Sequence, residues 1–100
     1  MAYRVYFTDQ ARNDFDSIID FIAADSPVRA LSFVDELQDR STVILSQFPN
    51  SGRIFGAARY IVLDDYIVAY DVDEARKAVF VLLVSEGHRL WQEILRERSA

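Results

Sequence analysis

His88 and Arg89 are adjacent near the C-terminal end of this chain, and Trp91 follows them closely. An imidazole with an ordinary pKa near ~6.5 moves protons at neutral pH. An arginine beside it holds a developing negative charge. Arg59 is a further candidate cation. The set lacks a partner for His88 in proton transfer, because His88 is the only histidine and an indole is neither acid nor base. The alternative chemistry is recognition. Arginine and tryptophan are frequent interface anchors, so Arg53, Arg59, His88, Arg89 and Trp91 form a candidate partner-contact set.

Each of these residues also has a plainer reading. His88 can be a strand-end residue bonded to backbone or water. Arg59 can pair with Asp64 or Asp71. Arg53, directly after Gly52, can bind carbonyls at a helix end, and Trp91 can pack the last helix.

Other chemistries find little support. One histidine and no cysteine leave only carboxylates, a poor zinc set. No glycine-rich phosphate loop or serine elbow occurs, so no metal and no cofactor are expected. Asp14, Asp16 and Asp20 are spaced i, i+2 and i+6 and do not converge; a solvated helix face is expected for them.

The net charge is −5. Residues 1–50 hold four arginines against eight acids, and residues 51–100 hold seven basic residues against eight acids. Such a surface gains nothing from counterion release, so direct nucleic-acid binding is not expected. Only a local basic cleft, gathering Arg53, Arg59, Arg89, Arg96 and Arg98, would change that. The absence of cysteine fits a reducing compartment. The longest apolar run, residues 78–84, is strand-sized, and no signal peptide is apparent, so a cytoplasmic protein without membrane contact is expected.

The elements that must position these residues follow from periodicity. With 100 residues, 51% of them hydrophobic, one packed domain spanning 1–100 is expected. Residues 3–7 are rich in β-formers. Thr8 or Asp9 can cap a helix carrying Ala11, Phe15, Ile18, Ile19 and Ile22 at helical spacing. Ser26-Pro27 restarts a second helix, whose stripe is Ala30, Phe33, Val34, Leu37, Ile44, Leu45 and Phe48, and Pro49 ends it. Strands are predicted at 59–63, 66–72 and 78–85, followed by a helix at 90–98 with Leu90, Ile94 and Leu95 apolar. The fold class is α+β: an N-terminal strand and a two-helix hairpin packed on a mostly antiparallel four-stranded sheet, with a short C-terminal helix.

Neither 66–70 nor 79–84 alternates apolar with polar residues, so both faces of this sheet are apolar. The hairpin covers one face and the last helix part of the other. The remainder is expected to meet a partner.

The order of these pieces resembles the RelE/ParE toxin superfamily. The likeness runs along nearly the whole chain: residues 3–8 with Ala11, Asp14 and Phe15; Ala30, Phe33 and Leu37; the Phe48-Pro49-Asn50-Ser51-Gly52-Arg53 turn; Arg59 followed by Tyr66 to Tyr70; and residues 79–84 with His88-Arg89. RelE-type members cut messenger RNA on the ribosome with mid-sheet basic residues and a C-terminal tyrosine. ParE-type members share the fold and block DNA gyrase. Here Trp91 stands where a tyrosine would be expected, and the only lysine is Lys77, in a turn. The ending is more similar to the ParE type. That resemblance implies a toxin that is not an enzyme, binds DNA gyrase, and is neutralised in a hetero-oligomer by a ParD-like antitoxin. The alternatives are a ribosome-dependent endonuclease using Arg59, His88 and Arg89, or an inactive relative that retains antitoxin binding.

Overall fold

A computed structural model describes residues 2–99. Strand β1 (Arg4–Phe7) leads into helix α1 (Asp9–Ala23), helix α2 (Pro27–Gln47), and strands β2 (Arg53–Phe55), β3 (Ala58–Leu63), β4 (Tyr66–Asp73) and β5 (Ala78–Glu86). Helix α3 (Trp91–Ser99) closes the chain. The sheet order is β1-β5-β4-β3-β2; β1 runs parallel to β5, and every other pair is antiparallel.

The local chemistry explains the boundaries. The Thr8 hydroxyl accepts the Ala11 N–H at 3.2 Å and donates to the Val81 carbonyl at 2.8 Å, so the α1 cap is also tied to the sheet. Ser26 caps α2 with proline at its first position. Residues 64–65 and 56–57 are two-residue hairpin turns, with Asp64 and Gly56 at φ 55 and 61, as tight turns between right-twisted strands require.

The sheet has five strands rather than the four expected from the sequence. Arg53–Phe55 is only three residues long and follows a turn, too short to show a period of two, yet it pairs with Ala58–Tyr60. Phe48 does not join the α2 stripe: it sits at the C-cap, where the helix has already turned, and is exposed. Leu90 precedes α3 and is likewise exposed, while Trp91 and Leu95 form the buried stripe of that helix.

Two apolar cores flank the sheet. The hairpin buries Phe15, Ile18, Val34, Leu37 and Leu45 against Leu63, Tyr66, Val68, Tyr70, Val79, Val81 and Val84. Helix α3 places Trp91 and Leu95 over Ala58, Ile67, Ala69 and Leu83. The unbroken apolar run in β5 follows from this arrangement. Ala69 pairs with Leu83 but Tyr70 pairs with Val81, so Leu82 is an extra residue that resets the alternation.

The second face is therefore better covered than the sequence suggests. On that side Tyr6, stacked on Phe80 at 5.4 Å, and Val62 remain exposed. The other large exposed apolar side chains include Phe21, Val28, Leu31 and Val43 on the helical hairpin. No helix among the described residues is long and apolar enough to cross a membrane.

Candidate partner-binding site

Arg59 lies on β3 opposite Tyr70 and faces the hairpin core. Its Nη1 donates to the Gly52 carbonyl at 2.9 Å and the Asn50 carbonyl at 3.3 Å. It thus takes the role read for Arg53, binding carbonyls where the chain leaves α2. It pairs with neither Asp64 nor Asp71; Asp64 instead meets Arg40 at 3.0 Å. Arg53 is exposed on β2.

Trp91 is buried. Its ring packs on Tyr60 at 4.8 Å and Phe55 at 5.4 Å, fastening α3 to the β2–β3 hairpin. Arg96 lies over Phe55 from the outer side, 5.1 Å from the ring centroid.

His88 and Arg89 leave the end of β5 in a turn closed by the Arg89 N–H on the Glu86 carbonyl at 3.2 Å. His88 is exposed, with Nε2 3.4 Å from Glu86 Oε2. The structure does not bring these two residues to Arg59. Arg59 pairs with Tyr70 and Glu86 with Tyr66, four residues apart along β4, which is about 13 Å of strand. Among the described residues the basic side chains do not gather into one cleft: Arg59 is spent on carbonyls, Arg96 on Phe55 and Arg98 on Asp14. Among the described residues no group of three or more histidine, cysteine or carboxylate side chains is placed to hold a metal.

What the fold does build is a groove of about 430 Å³ between α1, β5 and α3, with Arg89 on its wall beside Ile18, Phe21, Glu86 and Ile94. One end is closed by Asp14, which the sequence places on a solvated face. Its carboxylate accepts Arg98 Nη1 at 2.6 Å, Arg98 Nη2 at 3.0 Å and the Val84 N–H at 2.9 Å. The forked guanidinium matches the carboxylate oxygens, and both side chains are less than one-fifth exposed. The two residues are 84 positions apart, and no periodicity in α1 signals such a partner.

Near the opposite corner, Tyr70 is wholly buried and its hydroxyl accepts the Gly52 N–H at 2.9 Å. Burial pushes the Tyr70 phenol up from its ordinary value, against the pull of the Gly52 N–H and Arg59.

This α+β arrangement, a strand and helical hairpin on a mixed sheet with a closing helix, is the RelE/ParE fold. The profile described as the ParE toxin of the parDE type II toxin–antitoxin system matches residues 5–91. The chain belongs to the ParE toxin family. The fold is similar to that in the chromosomal ParDE system of P. aeruginosa, with TM-score 0.71 and 21% identity over 85% of this chain and 96% of that one. It is similar to a chain of the RelBE2 toxin–antitoxin complex of Mycobacterium tuberculosis, with TM-score 0.69 and 21% identity over 86% of this chain and 92% of that one. A mutant E. coli RelE toxin in the free state gives TM-score 0.67 and 22% identity over 99% of this chain and 96% of that one. No curated protein sequence matches the chain significantly.

Proposed function

We propose that this ParE-family toxin acts by binding DNA gyrase rather than by catalysis, and that a ParD-like antitoxin neutralises it by occupying its surface in a hetero-oligomer. The observation that carries this reading is the separation of the only candidate nuclease groups. Arg59 serves the Asn50–Gly52 turn, while His88 and Arg89 follow Glu86, whose row lies about 13 Å along the sheet from that of Arg59. Acid–base chemistry needs such groups within hydrogen-bond reach of one reacting bond. A binding protein needs exposed anchors instead, and Arg89, Arg53 and Phe21 are exposed.

The test uses the purified chain in two assays. In a gyrase supercoiling reaction, supercoiling should fall with added protein and recover when antitoxin is added. In a translation reaction the transcript should remain intact. Transcript cleavage that His88→Ala and Arg89→Ala abolish would replace this reading with the ribosome-dependent nuclease.

A further inference from the structure

Strand β2 covers only the first half of the outer edge of β3, where its three residues pair with Ala58, Arg59 and Tyr60. Before Arg53 the chain bends away from the sheet. The Gly52 N–H goes to the Tyr70 hydroxyl and the Ser51 N–H to the Phe48 carbonyl. Residues 61–63 therefore have β4 on one side and no strand on the other. A groove of about 480 Å³ runs along this open edge, walled by Ile44, Arg53, Ile61 and Val62.

The register says which backbone groups are free. Residues 64–65 form a two-residue turn, so the flanking pair, Leu63 and Tyr66, exchange hydrogen bonds. Bonding direction alternates along an antiparallel strand. Ile61 and Leu63 thus turn their N–H and C=O groups toward β4, and Val62 turns both of its own outward. Among the described residues no side chain and no loop backbone group bonds to either one. The Val62 side chain is exposed as well. So are Val43, next to Ile44, and Ile54, next to Arg53.

The two ends of this edge carry opposite charge. Arg53 stands exposed at the β2 end, and the Asp64–Asp65 turn at the other. Asp64 meets Arg40 at 3.0 Å. Among the described residues neither Arg53 nor Asp65 has an ion-pair partner.

We propose that a second copy of this chain docks here, β3 against β3, about a two-fold axis at Val62. Each Val62 donates its N–H to the carbonyl of the other, the reciprocal pair that antiparallel strands make. In this register Tyr60, the ladder partner of Arg53, stands opposite Asp64 of the second copy. The axis therefore sets each Arg53 beside the acidic turn of the other copy. A two-fold exchanges the ends of an edge, so opposite charges at those ends make it complementary to itself. Val62 and Val43 lose their exposure along the seam, and an unpaired edge is removed. The inference is independent of the gyrase and antitoxin readings.

The experiment uses the full chain alone. In sedimentation equilibrium its mass should rise from one chain to two as concentration increases. Residue-resolved amide exchange should slow the Val62 N–H by about tenfold or more in the concentrated sample relative to the dilute one. Arg53→Glu and Asp65→Arg should each raise the dissociation constant by about tenfold, and the double variant should restore it to within about threefold. Arg12→Glu makes the same charge change on α1, away from this edge, and should stay within about threefold of the unaltered chain. Val62→Pro should abolish the dimer, since it removes an N–H that the chain's own ladder does not use. Circular dichroism checks that this variant folds; if it does not, the charge-reversal pair decides. A chain that stays single at every concentration overturns the proposal. A dimer with an unprotected Val62 amide, unmoved by Arg53→Glu, overturns it too, because the copies then meet elsewhere.

Discussion

The Tyr70 hydroxyl fills the space where any side chain at position 52 would begin. A Cβ on Gly52 would clash with that oxygen and lie 2.9 Å from the Tyr60 carbonyl. The same hydroxyl accepts the Gly52 N–H, so glycine is required here by close approach rather than by its backbone angles.

Gly52→Ala is expected to destabilise the chain by about 1–3 kcal/mol through overpacking. Tyr70→Phe should cost about 1–3 kcal/mol, because it leaves a buried N–H unpaired. The double variant removes the clash with the Tyr70 hydroxyl, so its cost should be less than the sum of the two single costs. Denaturant melts of the four proteins check this. Strict additivity would rule out the contact as the cause.

The Gly52 turn was legible in the sequence, as were the order of helices and strands and the apolar character of both sheet faces. What escaped was set by partners distant in sequence. Asp14 has the spacing of a solvated helix residue, and only the return of α3 across the sheet gives it Arg98. The extra residue Leu82 is invisible because an apolar run has no alternation to break. Trp91 could be read as an anchor or as core, and the stack of Phe55 and Tyr60 beneath it resolves its packing. Phe21, the exposed aromatic of the groove, belongs to the same helical spacing as its buried neighbour Ile18.

The Asp14–Arg98 pair offers a second test. Arg98→Ala leaves the Asp14 carboxylate enclosed with only the Val84 N–H. Breaking one partner of a largely buried pair should cost about 2–4 kcal/mol, with partial exposure placing it below fully buried examples. Asp14→Asn with Arg98 retained keeps a hydrogen-bond acceptor and should cost less. Equal costs for the two variants would mean that charge is not what holds α3 to α1.

Trp91 is the only tryptophan, so its emission reports directly on the α3 core. Native emission should be blue-shifted and should move to longer wavelength on unfolding. Trp91→Ala should lower stability by about 3–5 kcal/mol. Loss of partner binding with unchanged thermal stability would instead make Trp91 a surface anchor.

Asp71 sits on the α3 side of β4, half-buried, and desolvation raises its carboxyl above the ordinary range. A raised native pKa means that the folded chain holds this proton more tightly than the unfolded chain does. The stability from Asp71 is therefore full below the ordinary carboxylate pKa and is lost as pH rises through the raised value. Asp71→Asn should raise Tm at neutral pH, with the gain vanishing in acid below about pH 3. A gain independent of pH would show that the effect is packing.

Glu74 moves the other way. The hydrogen bond from Tyr3 comes first among the causes holding its carboxyl below the ordinary value, with Lys77 adding to it. The stability it contributes is present above the unfolded pKa and is lost as pH falls through the lowered one. Tyr3→Phe should return the Glu74 titration toward the ordinary value, measured by NMR on the side-chain carboxyl carbon. An unchanged titration would assign the depression to Lys77 and the surrounding charge.

The pairing of β1 with β5 also constrains the order in which this molecule can be made. Arg4–Phe7 is synthesised well before Ala78–Val81, the stretch of β5 with which it pairs. The closure entropy of so long a separation must be met before the sheet gains its edge. A nascent chain that has not yet reached Ala78–Val81 therefore lacks the edge of the sheet that β1 and β5 form together.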